Sequence, residues 1–388
     1  MKEGIRTEER LLISLCRLEF DKVRLQEITG QLSGVLDWSY FLLMANAHGI
    51  IALVCHNLQK LDLLGSVPGE AAAILRNSLM KTLAGNEFKM TFTSGVLQLL
   101  NKENIRAVLL KGMALELTVY GNQGLRQMSD VDILVSSEQC LRAREILLEN
   151  GYRSLPVKSV LHRLILKNVG KHLPSMEKNG VLVEIHHELF GSSSNGLTGM
   201  FIEGSDEILL KGEKVLIPDD QLLFLYLIRH LWLHERNNES QLRLYTDLAV
   251  LVERNSAGIF TPGFSELAAR AGLEEAVASH LLILEKYWGA VFPESIRDFI
   301  NQWYDPAFGE KFIFFLGSPK GNPSPDKSWY YRHFVNEIPG FRGKLVFILG
   351  DLFPTISFMK RRYRCSSGWK AILYYPHRLG KIYYLFNK

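Results

Sequence analysis

Residues 105–135 read IRAVLLKGMALELTVYGNQGLRQMSDVDILV, and the organisation of the whole chain follows from them. Ile105–Leu110 is a short apolar run, partly β-branched, which predicts a buried strand. Lys111-Gly112 ends it and Met113–Val119 has helical composition, so Lys111-Gly112 sits where a strand turns into a helix. Backbone N–H groups at such a helix start point outward and favour phosphate. Gly124 and Arg126 follow in a loop, and a second strand, Asp130–Val135, opens with two acids one residue apart. Side chains alternate faces along a strand, so Asp130 and Asp132 point the same way. Two carboxylates on one face repel unless something positive lies between them. A divalent metal is the economical answer, since Mg²⁺ takes hard oxygen ligands and leaves places for substrate phosphates.

The sequence before this stretch reads as helices. Glu8–Leu18 and Trp38–Leu58 carry apolar residues at three- and four-residue spacing, Gly65–Pro68 makes a break, and Glu70–Leu100 is one long helical pattern feeding the strand. No chemistry is legible there, and the segment is expected to buttress the core or form one wall of a cleft. After Val135, Ser136 and Gln139 have the spacing of a capping box, and the helix they start ends at Asn150-Gly151. Val157–Val169 predicts another short helix. His172–Met176 and Val181–His187 flank Asn179-Gly180, a strong hairpin signal. On the second of these strands Val181, Val183 and Ile185 share one face, and Glu184 and His186 the other.

From Asp219 onward the pattern is helical again. Asp219 or Asp220 can cap a helix over Gln221–His234. Further helices are expected over Gln241–Arg254, Gly263–Trp288 and Pro293–Tyr304, and Gly317–Lys327 reads as an exposed loop. The expected fold class is α+β. A small mixed β-sheet core (residues 101–200) lies between an N-terminal helical region (1–100) and a second helical region (201–316), followed by a basic, aromatic C-terminal region (317–388).

Composition narrows the function classes. The chain has 388 residues, 47% hydrophobic and 22% charged, which is ordinary for a folded protein of two or three domains. A net charge of +4 is too mild to argue for a nucleic-acid partner. Cys16, Cys55, Cys140 and Cys365 are scattered with no C-x-x-C pair, which suggests neither a zinc site nor a disulfide framework and fits a reduced, cytoplasmic setting. The start MKEGIRTEERLL lacks an apolar signal core, and no run of about eighteen apolar residues predicts a membrane span.

Strand, Gly turn, helix and acid-x-acid strand together resemble the DNA-polymerase-β-type nucleotidyltransferase superfamily. The fuller string, LLKG, YG, LR and SDVDILV with a later VEIHHEL, is similar to the uncharacterised bacterial nucleotidyltransferases over Ile105 to Leu189. The resemblance implies metal-dependent transfer of NMP, AMP from ATP above all, to a hydroxyl or phosphate of a small-molecule or peptide acceptor, with release of pyrophosphate. It implies Mg²⁺ or Mn²⁺ held by Asp130 and Asp132, and puts the third carboxylate of the site at Glu184. Lys111 and Arg126 then suit a triphosphate clamp, Lys as a compact charge and Arg as a planar fork. Gly112 would let the backbone approach the phosphates. Better-known relatives carry a small or hydroxyl residue after this Gly where this chain has Met113, so backbone amides or Ser129 must make up the lost contact.

Several residues keep two readings. Glu184 could instead pair across strands with a cation. His186 could orient Glu184, contact the acceptor, ligate metal, or be structural. His230 and His234 lie four apart on one helix face, as do Arg243 and Asp247 on the next; they suit the acceptor side, or in the second case a local ion pair. Two rival functions stand beside the transferase: a degenerate nucleotide-binding relative, against which the intact acids argue, and an enzyme acting on nucleic-acid ends. Phe341–Lys388 holds ten Lys and Arg against one acid, Asp351, with aromatics interleaved. That mixture suits an anionic lipid surface or single-stranded nucleic acid, or else a helical cap whose cations face water.

Overall fold

The computed structural model describes residues 4–386 apart from 122–123, 169–170, 191–195, 320–330, 333–334, 337 and 339. The chain enters through α1 (Thr7–Leu15), α2 (Lys22–Leu32), α3 (Trp38–Ala47), α4 (Ile51–Lys60) and the long α5 (Gly69–Lys102). The expected single helix over Trp38–Leu58 is broken at His48–Ile50, and α3 and α4 meet at a bend of 119°. The cause is local first: Gly49 takes φ +69° and Ile50 N–H donates to the Ala45 carbonyl at 3.0 Å, the left-handed helix stop that glycine favours, and His48 then anchors the bend. His48 is buried, with Nε2 at 2.9 Å from the Leu316 carbonyl while Nδ1 accepts from Leu242 N–H.

The sheet follows: β1 (Val108–Leu109), α6 (Lys111–Thr118), β2 (Asp130–Leu134), α7 (Cys140–Glu149), β3 (Arg153–Ser154), β4 (Met176–Lys178), β5 (Val181–His186), α8 (Leu197–Glu203), β6 (Asp206–Leu210) and β7 (Glu213–Ile217). The strand order is β3-β4-β5-β2-β1-β7-β6, with β2 parallel to β5, antiparallel to β1, and β1 parallel to β7. β1 is shorter than the apolar run suggested, because only Val108 and Leu109 pair with β2. Asn179 and Gly180 take φ +54° and +78°, the left-handed pair a two-residue hairpin turn requires. Lys211 and Gly212 take +49° and +88° in the β6–β7 hairpin, which was not anticipated because Lys-Gly is a weaker turn signal than Asn-Gly. The sheet therefore runs past residue 200. The expected capping box at Ser136 is also absent: α7 starts at Cys140 with Gln139 as its uncapped N-terminal neighbour. The short helix expected over Val157–Val169 is a 3₁₀ helix over Leu161–Asn168, kinked at Ile165, and Val169 lies outside the described residues.

Beyond the sheet come α9 (Asp220–Arg236), α10 (Leu242–Ile259), α11 (Phe264–Ala271), α12 (Glu274–Trp288), α13 (Glu294–Trp303) and α14 (Pro306–Gly317). Asp219 caps α9 by accepting from Gln221 and Leu222 N–H. Last come α15 (Gly340–Leu352), α16 (Ile356–Tyr363), α17 (Gly368–Ile372) and α18 (Tyr375–Phe386).

Two large apolar cores result. One joins α1–α4 to α9–α14, with Phe41, Tyr226, Leu248, Phe264 and Phe312 fully buried, so the two helical regions form one body. The other lies under the sheet, where Val131, Ile133, Val183 and Ile185 meet Leu97 and Leu100 of α5 and Leu147 of α7. With the apolar side of β2 and β5 turned into that core, their alternate residues Asp130, Asp132, Glu184 and His186 face the other way.

Candidate active site

The register of two parallel strands builds the site. Asp132 lies directly beside Glu184, and Leu134 beside His186. His186 Nε2 is 2.8 Å from Asp132 Oδ1 and 3.7 Å from Glu184 Oε2. Ser175 Oγ donates to Glu184 Oε1 at 2.8 Å, and His172 Nε2 is 3.7 Å from Oε2, so the Glu184 carboxylate is held from both sides. Asp132, Glu184 and His186 offer one ligand-capable atom each within 4.8 Å of one another. Asp130, paired in register with Leu182, is half-buried beside them, and its Oδ1 accepts from Ser129 Oγ at 2.9 Å.

The positive charge between the acids is Lys111. Its Nζ donates to Asp132 Oδ1 at 2.8 Å, the oxygen that also faces His186. Lys111 is the first residue of α6 and adopts φ +45°, a left-handed conformation costing a non-glycine residue on the order of 1 kcal/mol. Such strain persists where surrounding contacts enforce it, and here the ion pair does so. Burial disfavours the Lys111 ammonium, but Asp132 outweighs it and holds the pKa above its ordinary range. Burial would likewise raise the Asp132 carboxyl, but Lys111 and the His186 hydrogen bond keep it well below the usual carboxylate range. Burial pushes His186 down to about 3, with Lys111 adding to the effect and Asp132 opposing it. The imidazole is thus neutral near pH 7. If its Nε2–H faces Asp132, Nδ1 is left buried with no hydrogen-bond partner.

Arg126 takes a different place from the one the sequence suggested. It is buried, and its guanidinium is spent on Asp247 of α10: Nε donates to Oδ1 and Oδ2 at 2.9 and 3.0 Å, and Nη2 to Oδ2 at 2.7 Å. Tyr120 Oη donates to the same carboxylate at 2.9 Å. The expected local pair of Asp247 with Arg243 does not form. Arg243 Nη2 instead donates to Gln241 Oε1 at 2.8 Å, and Nη1 donates to the Gln127 carbonyl. Gly112 has a packing role here, because a Cβ on it would overlap the Arg126 guanidinium. Met113 is buried in the core under the sheet. Leu110 supplies no side-chain cap to the first-turn amides of α6.

Of the two α9 histidines, His230 lies on the site side. Burial, followed by the charges of Lys111, His234 and Lys171, holds its pKa well below the ordinary value. His234 stands edge-on to His230 at 4.6 Å and has Nδ1 3.5 Å from Glu239. The sequence reading missed Tyr226 and Lys171. Tyr226 Oη is buried without a hydrogen-bond partner, and the ring lies 6.5 Å from His230. Its hydroxyl pKa is raised by burial first, with Lys111 and Asp132 the next influences in opposite directions. Lys171 is lowered to about 7 by burial and by Lys111 and Arg229, against Asp132 and Glu184. A signal for Tyr226 was present, since Tyr226, His230 and His234 repeat every four residues along one face of α9.

A family model described as an uncharacterised nucleotidyltransferase matches residues 35–289, and the chain belongs to that family. Solved structures that match include these two. The antibiotic-resistance factor ANT(2'')-Ia is 11% identical, over 52% of this chain and 98% of its own, with a TM-score of 0.34. An antigenic nucleotidyltransferase-like protein from Paracoccidioides brasiliensis is 13% identical, over 53% of this chain and 94% of its own, with a TM-score of 0.35. No curated protein matches the sequence.

Proposed function

We propose that this nucleotidyltransferase moves AMP from ATP to a hydroxyl or phosphate of a small-molecule or peptide acceptor and releases pyrophosphate. The observation that carries the reading is the convergence of Asp132, Glu184 and His186 within 4.8 Å, with Lys111 already bound to Asp132 at 2.8 Å. The acceptor oxygen attacks the α-phosphorus, the bond to the β-bridging oxygen breaks, and pyrophosphate leaves. The acceptor proton passes to Glu184, whose other oxygen stays with Ser175 Oγ.

The donor set fits a hard divalent cation, Mg²⁺ or Mn²⁺. Asp132 Oδ1 already holds one cationic group, Asp130 stands on the same strand face, and the neutral His186 turns Nε2 toward both Asp132 and Glu184. When bound, such an ion neutralises charge on the transferring phosphoryl group and the leaving oxygen. Lys111 would exchange Asp132 for a triphosphate oxygen, and the first-turn amides of α6 would receive the phosphates. Ser129 orients Asp130. His230, Tyr226 and Lys171, all within reach of the Lys111 charge, would meet the acceptor or the far end of the triphosphate, whereas Arg126, Arg243 and Asp247 would hold the loop and α10 in place.

Titration calorimetry with ATP, with and without Mg²⁺, tests the reading. Asp130→Asn with Asp132→Asn should abolish Mg²⁺-dependent ATP binding while circular dichroism stays that of the folded protein. Unchanged affinity of the double variant for MgATP would place the site elsewhere. A panel of NTPs, followed by pyrophosphate release against hydroxyl and phosphate acceptors, then tests the AMP assignment.

A further inference from the structure

The C-terminal helices expose what a folded domain ordinarily hides. On α15 Phe341, Leu345 and Leu349 recur every four residues and are all exposed, Phe341 by 79%. The opposite side of α15 is the one that packs inward. Phe347 stacks on His162 at 4.9 Å, Lys158 pairs with the buried Asp351, and a Cβ on Gly350 would overlap the His162 ring. The helix is thus fixed on the sheet domain by its polar and aromatic inner side, and carries an apolar stripe outward. Ser159 Oγ donating to the Phe353 carbonyl and Thr355 N–H donating to the Lys158 carbonyl extend the same attachment.

A second apolar cluster lies on α17 and the turn after it, where Trp369 is 83% and Leu373 77% exposed. Cations stand beside it. Tyr363 stacks on Tyr374 at 4.5 Å with an interplanar angle of 13°, which brings the end of α16, with Arg361, Arg362 and Arg364, next to the Trp369–Leu373 turn. Among the described residues, no salt bridge engages these three arginines or Lys370, all four of which are exposed. The only acid in 341–388, Asp351, is buried and already paired. Exposed aromatic and aliphatic side chains on the same short helices as exposed cations, with no exposed acid among them, match one partner chemistry. An anionic lipid surface offers headgroup phosphates to the arginines and acyl boundary to Phe341, Trp369 and Leu373. A protein partner of ordinary composition would not require so one-sided a charge.

We infer that α15–α17 form a peripheral docking surface for an anionic lipid bilayer. The surface is joined to the sheet domain through Lys158, His162 and Asp351. Binding rests on several cations acting together and on shallow insertion of the apolar side chains, so it is reversible and weakened by salt.

The test is co-sedimentation of the full-length protein with vesicles of phosphatidylcholine alone or mixed with phosphatidylglycerol, at about 0.05 M and about 0.5 M salt. The expected result is binding to the mixed vesicles only, lost at the higher salt. Arg361→Gln with Arg362→Gln should weaken it by roughly tenfold or more. Phe341→Ser with Trp369→Ser and Leu373→Ser should remove it while thermal unfolding stays that of the parent. As a check on the unaltered surface, Trp fluorescence should shift to the blue and be quenched by nitroxide lipid, and the effect should vanish in Trp369→Phe. The proposal is overturned by no binding to anionic vesicles at low salt, by equal binding to neutral ones, or by loss of concentration-dependent self-association as the main effect of the apolar variant. The last would make a second copy of the chain the occupant. Tighter salt-sensitive binding of a single-stranded oligonucleotide than of the vesicles would equally overturn it.

Discussion

Replacing Asp247 by Asn separates two roles for Arg126. If the guanidinium is a buried tie between the catalytic loop and α10, the variant leaves a cation under cover with no counter-charge. Arg126 and Asp247 side chains are 6% and 1% exposed and share three hydrogen bonds, so solvent can relieve little of the loss. Breaking such a pair from one side costs about 3–5 kcal/mol. Unfolding entropy runs at about 2.1 cal/mol/K per residue. Over 388 residues that converts the cost into a fall in Tm of about 4–6 °C. Arg126→Met should cost a similar amount, since Asp247 would then keep only the Tyr120 hydroxyl. The pair Arg126→Met with Asp247→Leu should recover much of the loss, because an apolar pair carries no desolvation penalty. Scanning calorimetry on the four proteins gives the coupling energy, expected to exceed about 2 kcal/mol. MgATP affinity, measured in parallel, should fall only slightly in Arg126→Met. An unchanged Tm together with a tenfold or greater loss of MgATP affinity would refute this reasoning and return Arg126 to the phosphates.

Glu184→Gln should lower kcat by about 10²–10⁴-fold with the dissociation constant for ATP little changed, as expected of a group that takes a proton only in the transition state; equal losses in both would make it a general support of the site. Gly112→Ala pushes a methyl group into the Arg126 guanidinium and should lower the urea midpoint by the equivalent of about 1–3 kcal/mol, and a midpoint equal to the parent's would show that the loop yields freely. Burial holds the His48 pKa below its ordinary value against the opposing Leu316 hydrogen bond, so the unfolded chain takes up the proton first. Stability should therefore fall as pH drops below about 6.5. His48→Gln, which keeps a donor and an acceptor, should remove that component of the acid loss, and an unchanged pH slope in the variant would exclude His48 as its source.

What the sequence determined by itself was whatever depends on neighbours along the chain. The two-residue period of DVDIL and VLVEIH put Asp130, Asp132, Glu184 and His186 on faces opposite the apolar residues, and Asn179-Gly180 set the hairpin that delivers the second strand. Those are local consequences of pleat and turn geometry, and they sufficed for the core fold and its acids. Tertiary structure alone decided which charges meet. Arg126 is four residues from Asp130 in the chain, yet it binds Asp247 more than a hundred residues away, because burying both charges is tolerable only when they are paired. The same need placed Lys111 on Asp132 in place of a free reach toward phosphate. Helix breaks followed the same division. Periodicity ran straight through Trp38–Leu58, and the stop at Gly49 was local and legible, but the contacts of His48 with Leu242 and Leu316 that anchor the bend were not. The outward apolar stripe of α15 was also invisible in the pattern, since Phe341, Leu345 and Leu349 have the spacing of any core-facing helix. Only the docking of Phe347 and Asp351 on the other side shows which way that stripe points.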